Sequence, residues 1–207
     1  MLTSFEQRAA RYYTDKLLEH GPTPAGVDWN SAESQALRFE QLLKVCCLRE
    51  TSSLLDFGCG YGALLPYFRA KSPESSYWGY DVAEAMLKTA VELHVGDARA
   101  RFIGSLAAVP EVDYVVASGL FNVKQNIATS EWEAYIAEML EKIAGLAKKG
   151  FAFNVLTSYS DPARMRSDLY YAQPCFWFDL CKTRFSRNVA LLHDYGLFEF
   201  TILVRMG

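Results

Sequence analysis

The sequence predicts an α/β protein built on a seven-stranded sheet, five parallel strands completed by a C-terminal antiparallel hairpin, with helices ahead of the first strand forming a lid. From residue 52 onward, apolar runs of strand length alternate with helical patterns. Such alternation makes a parallel sheet with right-handed crossovers and helices on both faces. The segment Leu54-Leu55-Asp56-Phe57-Gly58-Cys59-Gly60-Tyr61-Gly62-Ala63 joins an apolar run to three glycines and then to a helical pattern. Near the end, two β-rich runs flank Tyr195-Gly196-Leu197, the pattern of a hairpin.

Phe5, Ala9, Tyr13 and Leu17 recur at helical spacing, with Tyr12, Lys16 and His20 on the neighbouring ridge. The chain therefore begins with an amphipathic helix that has a polar, aromatic edge. Gly21-Pro22-Thr23-Pro24-Ala25-Gly26 ends it, because two prolines and two glycines cannot continue a helix. Asn30 is the expected N-cap of a second helix, with Glu33 three residues on and Phe39, Leu42, Leu43, Cys46 and Cys47 as its buried stripe. Residues 1–49 form the lid in this division, and 50–207 the sheet domain.

Strand one is Ser53 to Asp56, and its helix runs from Tyr61 to Ala70. Strand two ends at Asp81, Ala83 to Leu93 is helical, and Arg101-Phe102-Ile103 and Asp113 to Ala117 are strands three and four. Ser130-x-x-Glu133 reads as a capping box ahead of Trp132, Tyr135, Ile136, Met139, Leu140 and Ile143. Lys148-Lys149-Gly150 reads as the basic close of that helix. Phe151 to Leu156 is strand five, and Asn188 to Asp194 and Phe198 to Arg205 are the hairpin.

Composition narrows the function. The 207 residues suit one well-buried domain, and 51% hydrophobic with 22% charged residues is ordinary for a globular chain. A formal net charge of -3 gives no general attraction to phosphate backbones, which argues against a nucleic-acid substrate. The first residues carry an acid and no apolar core, and no apolar run approaches membrane-spanning length, so neither a secretory signal nor a membrane segment is expected. Five cysteines without metal-ligand spacing read as reduced thiols in the cytoplasm. No metal site is expected.

The glycine loop carries the chemistry. One glycine permits a tight turn with positive φ, another lets a ligand lie against bare backbone, and another lets the helix pack close to the strand. The helix N-terminus then aims free N–H groups at the ligand. Asp81, twenty-one positions after Gly60, stands where a second parallel strand ends beside the first and can take both hydroxyls of a ribose. Gly58-x-Gly60-x-x-Ala63 also fits a relaxed dinucleotide fingerprint. A dehydrogenase would need a substrate domain, for which too few residues remain.

Asp56-x-Gly58-x-Gly60-x-Gly62 resembles the first motif of class I S-adenosylmethionine-dependent methyltransferases, whose Rossmann-like sheet ends in the same hairpin. The resemblance covers about residues 50 to 207. It implies S-adenosylmethionine as cofactor, with Asp56, Gly58 and Gly60 at its methionine end and Cys59 inside the loop as a small packing group. It puts Asp81 on the ribose, and Val82 and Met86 along the adenosine. Gly104, Ser105 and Leu106 fall where the family contacts adenine, although Ser105 stands in place of the usual acid. Ser118, Gly119 and Phe121, at the end of strand four, would pass beside the sulfonium, a cation that a carbonyl or an aromatic face favours.

The methyl acceptor is less legible. Ser118-Gly119-Leu120-Phe121 departs from the Asn-Pro-Pro-Tyr type of motif of enzymes acting on planar nitrogens, which leaves a small molecule or a peptide side chain under the N-terminal helices, a small molecule being favoured. Tyr12, Lys16, Trp29 and Arg38 from the lid, Asn122 after strand four, and Asn154 and Tyr171 from strand five onward are the candidate acceptor contacts, Arg38 as holder of a carboxylate. In-line transfer needs alignment and exclusion of water more than a base. His20 is the candidate should a base be required. Other use of the same cofactor, or a non-catalytic cofactor-binding subunit, are the alternatives.

Overall fold

A computed structural model describes residues 3–207. Helix α1 (Ser4–His20) starts in a capping box: Glu6 N–H donates to the Thr3 hydroxyl at 3.2 Å, and Thr3 N–H donates to the Glu6 carboxylate at 2.7 Å. Gly21, at φ +67°, ends it, and a single 3-10 turn occupies Pro24–Val27. Helix α2 (Ala32–Leu43) is capped by Ser31, whose hydroxyl accepts from Ser34 N–H at 3.1 Å. The expected cap at Asn30 is thus displaced by one residue.

The sheet domain follows as β1 (Ser53–Phe57), α3 (Leu64–Lys71), β2 (Ser76–Tyr80), α4 (Glu84–Leu93), β3 (Ala100–Ile103), β4 (Val112–Ala117), α5 (Thr129–Leu146), β5 (Ala147–Leu156), α6 (Pro174–Arg184), β6 (Asn188–Leu192) and β7 (Glu199–Arg205). Helix α3 starts later than its pattern suggested because Gly62 sits at φ +80°, outside helical space. Ser130 and Glu133 form no capping box. Ala128 occupies the cap of α5 without a side-chain bond, and the Tyr170 hydroxyl donates to Glu133 at 2.8 Å. Lys148 and Lys149 belong to β5, where the Lys149 ammonium lies 3.1 Å from Asp113 of the neighbouring strand. Helix α6 was not anticipated; Pro174 opens it and Trp177 and Cys181 form its buried ridge.

The strand order is β3-β2-β1-β4-β5-β7-β6. The first five strands pair in parallel, and β7 runs antiparallel to both β5 and β6. Side-chain alternation divides the core in two. Leu54, Tyr77 and Val116 pack with Phe39, Leu42 and Leu43 of α2 and Phe68 of α3. Leu55, Val115 and Phe153 meet Ile136 and Leu140 of α5 and Trp177 of α6. Leu42 and Leu43 are at most 1% exposed, each contributing roughly 1.5–3 kcal/mol of burial. Helix α2 is therefore a layer of the sheet's own core.

Helix α1 is held differently. It buries only Leu17, against Tyr61, Ala83 and Met86. At its other end Phe5 packs edge-on against Tyr135 and Trp132 of α5, with ring centroids 5.1 and 6.2 Å away. It thus spans the carboxyl ends of the parallel strands from α4 to α5. The order of the parallel strands reverses between β1 and β4, the switch point at which open α/β sheets bind ligands. Among the described residues no helix is long and apolar enough to cross a membrane.

Candidate active site

The loop after β1 adopts positive φ at Gly58 (+84°), Gly60 (+54°) and Gly62 (+80°), conformations that disfavour side chains. A Cβ at Gly62 would lie 3.0 Å from both His94 and Phe102. The loop's amides turn inward: Gly58 and Cys59 N–H donate to the Tyr80 carbonyl at 2.8 and 2.9 Å, Gly60 N–H to Asp81 at 2.8 Å and Gly62 N–H to the Cys59 carbonyl at 2.9 Å. These four loop amides are satisfied within the protein and do not face a ligand. The loop offers bare glycine backbone instead.

Two carboxylates flank the loop. Asp56 is buried on the α2 and α3 side of β1, and the Tyr77 hydroxyl donates to it at 2.7 Å. Burial pushes its carboxyl up to about 7, with the Tyr77 bond opposing. Asp81 stands at the lip of β2, half-buried, accepting from Gly60 N–H through one oxygen and Ala83 N–H through the other, both at 2.8 Å. Burial raises its pKa, and the amides of Ala83, Gly60 and Val82 counter this. A carboxylate has about four acceptor positions, so Asp81 keeps capacity toward the cleft. Cys59 is packed against Gly79 and its thiol is held well above the ordinary range by burial. It is a packing group.

Asp56, Gly58, Cys59, Gly60, Asp81, Val82, Met86, Ser118 and Gly119 all line one cleft, which holds about 1220 Å³ of free space including its open mouth. The Ser118 hydroxyl is buried and has no partner. Gly119, at φ +68°, lies under Trp29, where a Cβ would come within 2.3 Å of the indole. Tyr12 and Trp29 reach the same cleft. Glu6, Tyr80, Lys124, Gln125 and Tyr135 line it too, and were not anticipated. Gln125 lies in the segment leaving β4 at the switch point and adopts φ +53°, a position the fold alone marks as ligand-facing.

Several expected residues stand elsewhere. Gly104, Ser105 and Leu106 do not line the cleft; Gly104 and Ser105 are exposed beyond edge strand β3, where a 3-10 turn over Leu106–Ala108 carries the chain outward. Phe121 is fully buried against Phe153, its carbonyl accepting from the Trp132 indole at 2.9 Å. It belongs to the core. His20 ends α1 outside the cleft, 3.5 Å from Glu19, so it is not placed to act as a base. Lys16 also lies outside, 3.5 Å from Asp28.

A second cavity, with about 1160 Å³ of free space including its mouth, shares Tyr13, Val27, Trp29, Gly119 and Val123 with the first. It collects Arg38, Asn122 and Tyr171. Arg38 does not have a carboxylate to seek, because it already holds one: its Nε donates to both oxygens of Glu199 at 2.8 Å. Asn154 is fully buried and lines neither cavity. Its Nδ2 donates to Glu199 at 2.6 Å and its Oδ1 accepts from Gly119 N–H at 2.8 Å. The Asn122 carboxamide oxygen accepts from Leu156 N–H, and the Tyr171 hydroxyl accepts from Arg166 N–H.

Residues 55–150 match a family model described as a methyltransferase domain. Over 153 residues, 74% of this chain and 92% of the relative, the sequence is 52% identical to "Putative methyltransferase Rv1506c" of Mycobacterium tuberculosis (strain ATCC 25618 / H37Rv). Human N-acetylserotonin methyltransferase in complex with SAM shares the fold at a TM-score of 0.61 and 16% identity, over 99% of this chain and 68% of that one. Magnesium protoporphyrin IX methyltransferase from Synechocystis PCC 6803 with bound SAH shares it at a TM-score of 0.64 and 15% identity, over 98% and 96%.

Proposed function

This chain belongs to the class I S-adenosylmethionine-dependent methyltransferase family, and from that premise we propose that it methylates a small molecule held between the carboxyl ends of β1 and β4 and the overlying α1. The observation that carries the site is Asp81, which ties the glycine loop to β2 through Gly60 N–H at 2.8 Å and keeps acceptor capacity at the cleft. Two further features fit the cofactor: side-chain-free backbone at Gly58 and Gly60, and the partnerless Ser118 hydroxyl facing the switch point.

Asp81 would take the ribose hydroxyls, Gly58 and Gly60 the methionine end, and Val82 and Met86 the adenosine, with Ser118 and Gly119 beside the sulfonium. When bound, the cofactor supplies a methyl group already activated for displacement. The protein's part is to orient the acceptor and exclude water. Trp29 and Tyr12 wall the cleft, while α1 covers it. The cleft lining contains no histidine, so alignment by these walls, and not proton abstraction by His20, is the device this chain offers.

The net charge of -3 supports an acceptor other than nucleic acid, and five free thiols support a reducing cytoplasmic compartment. The test is incubation with S-adenosylmethionine and a panel of metabolites, followed by mass spectrometry. Acceptor-dependent S-adenosylhomocysteine is expected. Methylthioadenosine instead would assign another reaction of the same cofactor, and calorimetric binding without any turnover would assign a non-catalytic subunit.

A further inference from the structure

We propose that the second cavity seats the acceptor and that Arg38 binds an uncharged oxygen of it, a carbonyl or hydroxyl oxygen, through its free Nη1 edge. The proposal rests on the methyltransferase reading of the neighbouring cleft and adds the chemistry of the molecule methylated there. Arg38 is 6% exposed, and the Trp29 ring lies 3.8 Å from its guanidinium. Two of its nitrogens, Nε and Nη2, face Glu199, while buried Nη1 has no partner. A buried donor left without an acceptor is costly. An oxygen supplied by a ligand would remove that cost.

Position favours an acceptor over the cofactor. Trp29 and Gly119 belong to both cavities, so a molecule seated beside Arg38 can present an atom to the end of β4, where the methyl group arrives. Charge then selects the class. The Arg38 cation is neutralised by Glu199, and Arg166 lies within 3.6 Å of Asp28 and 2.6 Å of Asp168. Arg164, the remaining cation, is 77% exposed at the rim beside Asp161. A carboxylate beside Nη1 would stand next to Glu199 without a cation of its own, which burial penalises. A neutral oxygen meets no such repulsion. Leu156, Leu169, Leu197 and Phe198 supply apolar walls for the rest of the molecule.

The test uses the full chain saturated with S-adenosylhomocysteine and two probes of one shape, benzamide and benzoate, titrated by amide NMR. Benzamide is expected to shift the resonances of Trp29, Gly119, Asn122 and Tyr171 and to bind about ten-fold more tightly than benzoate. Arg38→Lys keeps a cation for Glu199 and removes the Nη1 edge, and the paired change Arg38→Met with Glu199→Gln removes both charges so that neither is left buried alone. Each is expected to weaken benzamide by about ten-fold, a larger loss than that of S-adenosylhomocysteine. Tighter, Arg38-dependent benzoate binding would overturn the uncharged class. Benzamide binding indifferent to both variants, or no binding of either probe, would overturn the seat, with water as the only partner of Nη1. Failure of S-adenosylhomocysteine to bind the parent would instead remove the methyltransferase reading of the cleft.

Discussion

Arg38 and Glu199, 161 positions apart in sequence, form a buried ion pair that joins α2 to the first residue of β7. Asn154 extends it, donating to Glu199 and accepting from Gly119 N–H. Trp29, stacked on Arg38, also lies against Gly119. The turn that ends β4 beside the cleft is thus held by a carboxamide and an indole, and the one ion pair contacts both.

Breaking one side of that pair should be costly. Arg38→Met leaves Glu199 as a lone buried charge, and we expect it to lower unfolding free energy by about 3–5 kcal/mol, against a much smaller loss when Glu199→Gln accompanies it. Urea unfolding of the two variants measures the difference. Equal losses would mean that packing of the Arg38 stem, not charge pairing, holds α2 to β7.

Asp81 has two roles, and substitution bears on both. Its carboxylate organises the loop through Gly60 and Ala83 amides, and its remaining capacity is assigned to ribose. Asp81→Asn keeps one acceptor oxygen for the loop and loses charge-assisted bonds worth roughly 1.5–3 kcal/mol. We expect S-adenosylhomocysteine binding to weaken by about ten-fold or more, with Asp81→Ala weaker still. Calorimetry that finds parental affinity in Asp81→Asn would reduce the residue to a turn former.

Legibility in the sequence followed the range of the interaction. The glycine loop, Asp81 and the hairpin were readable because positive φ, a strand end and a two-strand pattern are local demands, and the cofactor class came from the family resemblance that they carry. Arg38 was drawn toward a ligand because nothing near it in sequence announces Glu199. Phe121, just past strand four, and Asn154, in the second half of strand five, were placed at the site, yet both are fully buried. Lys148-Lys149-Gly150 has the composition of a helix end, but β5 pairs across it and Lys149 answers Asp113 instead. Ser130 and Glu133 have capping-box spacing, while Tyr170, brought in by tertiary structure, takes the carboxylate.

Asp56 should make stability depend on pH. Its carboxyl is raised from 3.8 to about 7 by burial, so the folded chain binds a proton that the unfolded chain has lost over that interval. The stabilisation from this group is complete below the unfolded pKa and declines as pH rises through about 7. Asp56→Asn cannot titrate. We therefore expect the parent to lose stability relative to Asp56→Asn between about pH 4 and about pH 7, and to level off above that, read by urea unfolding at both ends. Parallel pH profiles would show that Asp56 stays ionised across this interval and that burial does not raise its carboxyl.

The first 49 residues divide by function, and hydrogen exchange should reveal the division. Helix α2 places Phe39, Leu42 and Leu43 in the sheet's core, so removing it destroys the fold and says nothing about a cover. Helix α1 is attached at three points: Leu17 on α4, Phe5 on α5, and the Asp28 cluster. There the Tyr12 hydroxyl donates to Asp28 at 3.0 Å, with Lys16 at 3.5 Å and Arg166 at 3.6 Å. Few buried contacts and half-exposed ion pairs give a low cost of local opening, which a cover over a methyl-transfer cleft needs for ligand entry. We expect S-adenosylhomocysteine to raise protection across Ser4–His20 while Ala32–Leu43 is strongly protected with or without it. Asp28→Asn, which deprives Lys16 and Arg166 of their shared anion, should lower α1 protection in the free protein. Protection of α1 that matches α2 in the free protein and does not respond to ligand would sink the cover and leave α1 a fixed wall.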